Sequence, residues 1–283
     1  MQIMKYSWIN WEPFLIVDDH GMRGMMKLFD SQLDINVGKK YCIGYRKKGK
    51  WNPCRTAAEI ASGYYCNECK LEDEFFMCVT CDGSACVNTL QREGCEKNAF
   101  YIYLAAFDNL LKVGISYEHR LLERLVEQGA DFAAKIGKVQ DGKRVRQVEQ
   151  DIKNHLGIVD RVFGNVKQEL IFGNPNASLR NIRNAVTSLQ TNGFGKHLVT
   201  PEIYDLRRYY RLEQLSSHPH SLKLKDGMLL RGKALAAKGN IIMVQDGNQL
   251  YSVNSHDLIG REITMGSQKT LIDFVTHETV PAL

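Results

Sequence analysis

All eight cysteines of the 283-residue chain fall between Cys42 and Cys95, spaced C-x11-C-x11-C-x2-C-x8-C-x2-C-x4-C-x8-C. Cysteines used only as small apolar core residues would be scattered along the chain. Cys66/Cys69 and Cys78/Cys81 are CxxC pairs, and such short loops aim two thiolates at one tetrahedral ion. With Cys42, Cys54, Cys86 and Cys95 they make eight ligands, enough for two structural zinc ions. A sequential division into Cys42, Cys54, Cys66, Cys69 and Cys78, Cys81, Cys86, Cys95 fits the spacing as well as an interleaved one. The alternatives are a disulfide module or a redox CxxC. The opening MQIMKYSWINWEPF has no charged segment followed by an apolar one, so the expected location is the reducing cytoplasm, where clustered thiols ligate metal first.

A second pattern concerns charge. The chain carries a formal +5, too little to imply a polyanionic partner by itself. From Gly38 to Trp51, however, it reads GKKYCIGYRKKGKW. Lys39, Lys40, Arg46, Lys47, Lys48 and Lys50 stand there without an acid and with Tyr41, Tyr45 and Trp51 interleaved. Arg207, Arg208 and Arg211 flank Tyr209 and Tyr210 in a second cluster. Cations can neutralise phosphates and aromatic faces can stack on bases, so two such clusters point to nucleic acid, DNA or RNA being unresolved. The plain alternative is a solvated face with its aromatics turned inward. No apolar run approaches the roughly 18 residues of a membrane span.

The elements that must position these groups are short strands and a few helices. The first forty residues alternate apolar and polar between turn signals, as strands do. Phe100–Phe107 and Leu110–Ser116 are β-prone runs joined by Asp108-Asn109, a hairpin signal. A helix is expected from Tyr117 to Gln128 with Leu121, Leu122 and Leu125 on one face, ended by Gly129. A strand is expected over Phe132–Gln140, then a helix with Val145, Val148, Ile152 and Leu156 buried, stopped by Gly157. That makes ββαβα in about sixty residues. Helices are further expected over Asn176–Leu189 and Pro201–Leu215, a linker at Ser216–His220, and four or five short strands to the end.

Within the ββα unit, Tyr101 and Tyr103 on one strand, Lys112 and Gly114 on the next, Arg120 and Arg124 on the helix and Glu149 on a later helix resemble the GIY-YIG nuclease superfamily, in its divergent branch with YxY followed by KxG. The resemblance covers roughly residues 99–157. Tyr101 stands where Gly is usual and Lys112 where Tyr is usual. The resemblance implies a single Mg2+ or Mn2+ on Glu149, an arginine at the phosphate (Arg124, with Arg120 as the other candidate), and Tyr103 and Lys112 near the attacking water. Such residue types suit phosphodiester hydrolysis, which needs charge neutralisation at phosphate and a proton acceptor for water. The whole chain also resembles an uncharacterised, largely archaeal family with a Cys-rich N-terminal segment, a resemblance that brings a layout and no activity.

The expected architecture is therefore α+β in three parts. Residues 1–97 form a β region with the zinc module, 98–218 a GIY-YIG-like domain with a helical extension, and 219–283 a small β-rich domain. The expected function is a divalent-metal-dependent endonuclease with structural zinc. The alternative is a non-catalytic DNA- or RNA-binding protein with a degenerate site, serving a partner enzyme.

Overall fold

The computed structural model describes residues 1–266 apart from Val87. The chain begins with strands β1 (Gln2–Ile9), β2 (Glu12–Asp19), β3 (Met22–Lys27) and β4 (Gln32–Lys40). A small hairpin of β5 (Tyr45–Lys47) and β6 (Lys50–Asn52) and three short helices follow, α1 (Asn67–Glu72), α2 (Phe76–Val79) and α3 (Thr89–Lys97). Next come β7 (Ala99–Phe107), β8 (Leu110–Tyr117), α4 (Leu121–Gln128), β9 (Phe132–Gln140), α5 (Gly142–Leu156), α6 (Gly164–Glu169), α7 (Pro175–Thr191) and β10 (Leu198–Asp205). The last elements are β11 (His220–Leu222), β12 (Met228–Lys238), β13 (Ile241–Asp246), β14 (Gln249–Asn254), α8 (Ser255–Leu258) and β15 (Arg261–Met265). The chain is a mixed α+β protein dominated by strands.

These elements form two compact units, Met1–Phe76 with Arg211–Leu283, and Met77–Tyr210. In the first, a nine-stranded sheet runs β11-β14-β13-β12-β4-β15-β1-β2-β3. Residues 219–266 therefore do not make a sheet of their own, contrary to the three-part expectation, whose remaining residues 267–283 lie outside the described ones. Strand β4 accepts β12 on one edge and β15 on the other, both antiparallel. Strand β12 buries Leu230, Gly232 and Ala234 at alternate positions beside β4, so the late strands complete the sheet that the first forty residues begin. Trp8 and Tyr6 donate from their ring N–H and hydroxyl to the Gly239 carbonyl at 2.8 and 2.6 Å, which fastens β1 to the β12–β13 turn.

The second unit carries a four-stranded sheet in the order β10-β9-β7-β8. Alternation divides its faces. Phe100, Ile102, Leu104 and Ala106 of β7 join Val113 of β8 and pack under Val145, Val148 and Ile152 of α5 and Ile182, Ala185 and Leu189 of α7. Tyr101, Tyr103, Ala105 and Phe107 are left on the opposite face, a consequence of period-two geometry. Asp108 takes a left-handed φ of 52° in the hairpin turn. Helix α4 stops at Gly129 and α5 at Gly157, both left-handed. The helix expected over Pro201–Leu215 is not formed. Val199, Thr200, Ile203 and Tyr204 favour extended backbone, and β10 pairs antiparallel with β9 before the chain turns through short 3-10 segments. Among the described residues no helix is long and apolar enough to cross a membrane.

Candidate functional site

Four cysteines from three separate stretches converge in the first unit. The chain leaves β4 at Cys42, returns at Cys54 after the small hairpin, and presents Cys66 and Cys69 at the start of α1. Their sulfurs all lie within 4.8 Å of one another. Burial raises the Cys42 thiol, while the backbone N–H groups of Cys66 and Gly44, donating to its sulfur at 3.2 and 3.5 Å, pull the other way. Burial resists ionisation of Cys54, but hydrogen bonds from the Ala58 and Thr56 backbone and the Thr56 hydroxyl outweigh it and bring that thiol to about 6. Burial and the neighbouring sulfurs push Cys69 upward. Four sulfur donors at this spacing suit a closed tetrahedral ion such as zinc. This quartet is the first of the two in the sequential division, with Cys66/Cys69 beside Cys42/Cys54.

The basic stretch is the frame of this cluster. Tyr45 is buried against Cys42 and Cys69, and the Trp51 ring N–H donates to the Ile43 carbonyl at 2.8 Å. Six unpaired cations were expected here, yet Lys39 pairs with Glu59 at 2.8 Å and Lys47 pairs with Glu72. Arg46 lies over the Phe75 ring and Lys40 over Tyr64. Lys48 and Lys50 remain exposed. The acids come from residues 59–74, beyond the stretch in which the sequence shows none. The second cluster is similarly engaged. Arg207 pairs with Asp205, Arg208 lies over Tyr209, Arg211 pairs with Asp30 and Glu12, and Tyr210 is buried with its hydroxyl on the Ala130 carbonyl.

A different constellation draws on both sides of the second sheet, with Tyr103, Gly114 and Lys112 on the face turned away from α5 and α7 and Glu149 on α5 itself. Tyr103 is 1% exposed and pairs directly across from Gly114. A Cβ added at Gly114 would sit 2.5 Å from both Cζ and the hydroxyl oxygen of Tyr103. Glycine is needed because the Tyr103 ring lies over it, a more immediate reason than approach of a phosphate. Lys112, two residues before Gly114, shares its face and is buried. Its ammonium donates to the Asp160 carbonyl at 2.8 Å, while the Val113 N–H donates to Val159 O at 3.0 Å. The segment after α5 is thereby laid along the β8 edge. Burial first, and the Arg124 charge second, lower the Lys112 amine to about 8.

Helix α4 supplies the arginine. Arg124 interacts with the Tyr103 hydroxyl and with Glu127 at 3.3 Å. Its side chain keeps 46% exposure, so it meets solvent at the mouth of the site. Arg120 instead binds Glu123 and Glu127 at 3.0 and 3.2 Å. Burial raises the Tyr103 phenol, which is held protonated as a donor. Glu149 of α5 is 9% exposed and close enough to Tyr103 and Lys112 to act on both electrostatically. Its pKa is raised by burial, against the pull of Arg146 and Lys112. Among the described residues its carboxylate has no hydrogen bond or ion pair, so the oxygens remain available to a hard cation. Tyr101 stands apart, its hydroxyl on Glu118 at 2.8 Å and its ring beneath Lys135 and Lys138.

Lys167 of α6 is a further largely buried cation beside the site that no sequence motif marks. It lies 5.8 Å from the Phe107 ring centre, and burial, then the charges of Lys112 and Arg124, take it down to about 7. A burial signal was unreadable because α6 is too short to show a period.

The family described as "Protein of unknown function (DUF2797)" matches residues 30–263. The chain belongs to that family. No curated protein and no solved structure matches it. The matched span takes in the four-cysteine cluster as well as Tyr103, Lys112, Arg124, Glu149 and Lys167.

Proposed function

We propose that the protein is a divalent-metal-dependent phosphodiesterase acting on nucleic acid, with a GIY-YIG-like site in its second unit and zinc held structurally in the first. Supporting this reading, Tyr103 lies over Gly114 with its hydroxyl on Arg124, Lys112 is buried on the same sheet face, and Glu149 acts on Tyr103 and Lys112 electrostatically and has, among the described residues, no hydrogen bond or ion pair.

Each group suits a step of phosphodiester hydrolysis. Glu149 is the residue that would hold Mg2+ or Mn2+, and such an ion supplies charge neutralisation at the scissile phosphate. Lys112, with a pKa of about 8, exchanges its proton near neutrality and is the better acceptor for the proton of the attacking water. Tyr103, kept protonated by burial, orients that water or a phosphate oxygen by donating to it. The partly exposed Arg124 guanidinium meets equatorial phosphate oxygens in a bidentate fork. Lys167 adds a cation that gains its proton when a phosphate arrives. A zinc ion held by Cys42, Cys54, Cys66 and Cys69 would have its four ligands from the protein and would serve structure rather than chemistry.

The test is cleavage of branched DNA, single-stranded DNA and tRNA by the full chain with Mg2+, Mn2+ or EDTA. Metal-dependent cutting that is lost in Glu149→Gln, with substrate binding retained, is the expected result. Binding without cutting under every metal would favour a non-catalytic nucleic-acid-binding protein instead.

A further inference from the structure

The segment from Met77 to Asn98 has a property that apolar packing does not explain. Among its described residues only Gly83 is buried. Helices α2 and α3 bury no side chain, and Met77, Val79 and Leu90 face solvent. Twenty-odd residues without an interior cannot hold a defined fold by hydrophobic burial, and small modules of this kind depend on a crosslink or a metal. The segment contains the other four cysteines and little else that could serve.

The same segment is bound closely to the first two turns of α5. Arg146 donates through both terminal nitrogens to the carbonyls of Cys81 and Cys78, at 2.9 and 3.0 Å. The Gln147 amide donates to Gly83 O at 2.9 Å. Gly83 has a left-handed φ of 87°, and a Cβ there would lie 2.6 Å from Lys143 O and 2.8 Å from Gln147 N. Arg92 of α3 forks onto Asp141, the residue that caps α5, at 2.5 and 2.8 Å. The Cys95 sulfur sits over Gly142, where an added Cβ would be 2.3 Å away. Inside the segment, Asn88 donates its amide to the Cys78 sulfur at 3.3 Å and the Cys86 thiol reaches Asn88 O at 3.5 Å.

We infer that Cys78, Cys81, Cys86 and Cys95 form a second four-thiolate zinc site, and that this site positions α5 by fixing the loop that grips residues 141–147. The CxxC turn is already closed by the Cys81 N–H on Cys78 O at 3.4 Å. Among the described residues the first quartet alone has its sulfurs within 4.8 Å of one another. Ligation in the second needs its thiols to turn inward, which an uncored loop permits. The opposite face of α5 is anchored in the core by Val145, Val148 and Ile152. Losing the metal would therefore loosen the first two turns without releasing the helix. Glu149 follows Arg146 by three residues, on the adjoining turn. Its role as a metal ligand rests on the function proposed above; the zinc site and its grip on α5 do not.

The experiment uses the full chain and does not read activity. Elemental analysis of the purified protein should give two zinc ions per chain, falling to one in Cys86→Ser/Cys95→Ser. Amide exchange across residues 142–150 should then quicken roughly tenfold or more. Cys42→Ser/Cys54→Ser should also lose one zinc but leave that exchange unchanged. Arg146→Ala, which spares every thiol, should keep two zinc ions and still quicken exchange in α5. One zinc in the wild type, or two in Cys86→Ser/Cys95→Ser, overturns the site. Unaltered α5 protection in both Cys86→Ser/Cys95→Ser and Arg146→Ala overturns the positioning.

Discussion

Replacing Lys112 by Met should stabilise the protein at pH 7, because the structure makes that lysine expensive to keep charged. Its pKa falls from 10.5 to about 8, chiefly through burial. Each tenfold in proton affinity corresponds to about 1.4 kcal/mol, so the folded state bears a cost of about 3 kcal/mol relative to the unfolded chain when both hold the proton. Below pH 8 that cost is present in full. Between pH 8 and 10.5 only the unfolded chain keeps the proton, so stability rises with pH; above 10.5 the cost is gone. Against the gain stands the loss of the ammonium bond to Asp160 O, a residue exposed enough for water to replace the donor. The net expectation for Lys112→Met is a gain of about 1–3 kcal/mol at pH 7, shrinking towards zero by pH 10.5. Urea melts of wild type and variant at pH 7, 9 and 10.5 measure it. A variant less stable than wild type at pH 7, or a gain that does not change with pH, would refute the reasoning. A stabilising change at a site that also abolishes cleavage is the trade-off expected of a functional residue.

Gly114→Ala forces a Cβ into the buried Tyr103 ring and should cost about 1–3 kcal/mol by overpacking. The same change in a Tyr103→Ala background should cost clearly less in a double-mutant cycle. Stripping zinc should raise amide exchange over residues 41–73 while β1 and β2 stay protected, since Trp8, Leu15 and Ile16 are buried in a sheet that closes without the metal. Simultaneous loss of protection in β1 and β2 would show that the ion supports the whole unit. Reversing Arg46, Lys47 and Lys48 to Glu should lower the first unit's stability by about 1 kcal/mol, because Lys47 leaves Glu72 and new acids face Glu72 and Glu74. A nucleic-acid affinity that falls steeply with no change in melting would restore these cations to a binding role.

Local patterning made much of the second unit legible. The Asp108-Asn109 turn, the β9 strand and the Val145, Val148, Ile152 stripe of α5 each depend on near neighbours, and each forms where expected. Arg124, Arg120 and Glu149 are candidates by type and order alone, and what separates Arg124 from Arg120 is tertiary. Arg120 is taken up by Glu123 and Glu127, whereas Arg124 reaches Tyr103. The errors came from partners distant in sequence. Strands β12 and β15 find β4 across about 190 residues or more, which no periodicity announces. The basic stretch looked unpaired because Glu59, Glu72, Asp73 and Glu74 return to it only after the cysteine loop closes. Pro201 suggested a helix start, yet the β-branched residues around it and an open edge on β9 decided for a strand.

If Glu149 holds the metal of a phosphodiesterase site, as proposed, removing its charge must remove cleavage. The most direct measurement is the rate of Mn2+-dependent cleavage of a branched DNA and of tRNA by wild type and Glu149→Gln, followed from pH 6 to pH 9. The wild-type rate should climb with pH and level off near 8 as Lys112 loses its proton, and Glu149→Gln should fall at least about a hundredfold with binding intact. Equal cleavage by wild type and Glu149→Gln, or no cleavage of either substrate at any pH, would contradict the proposal.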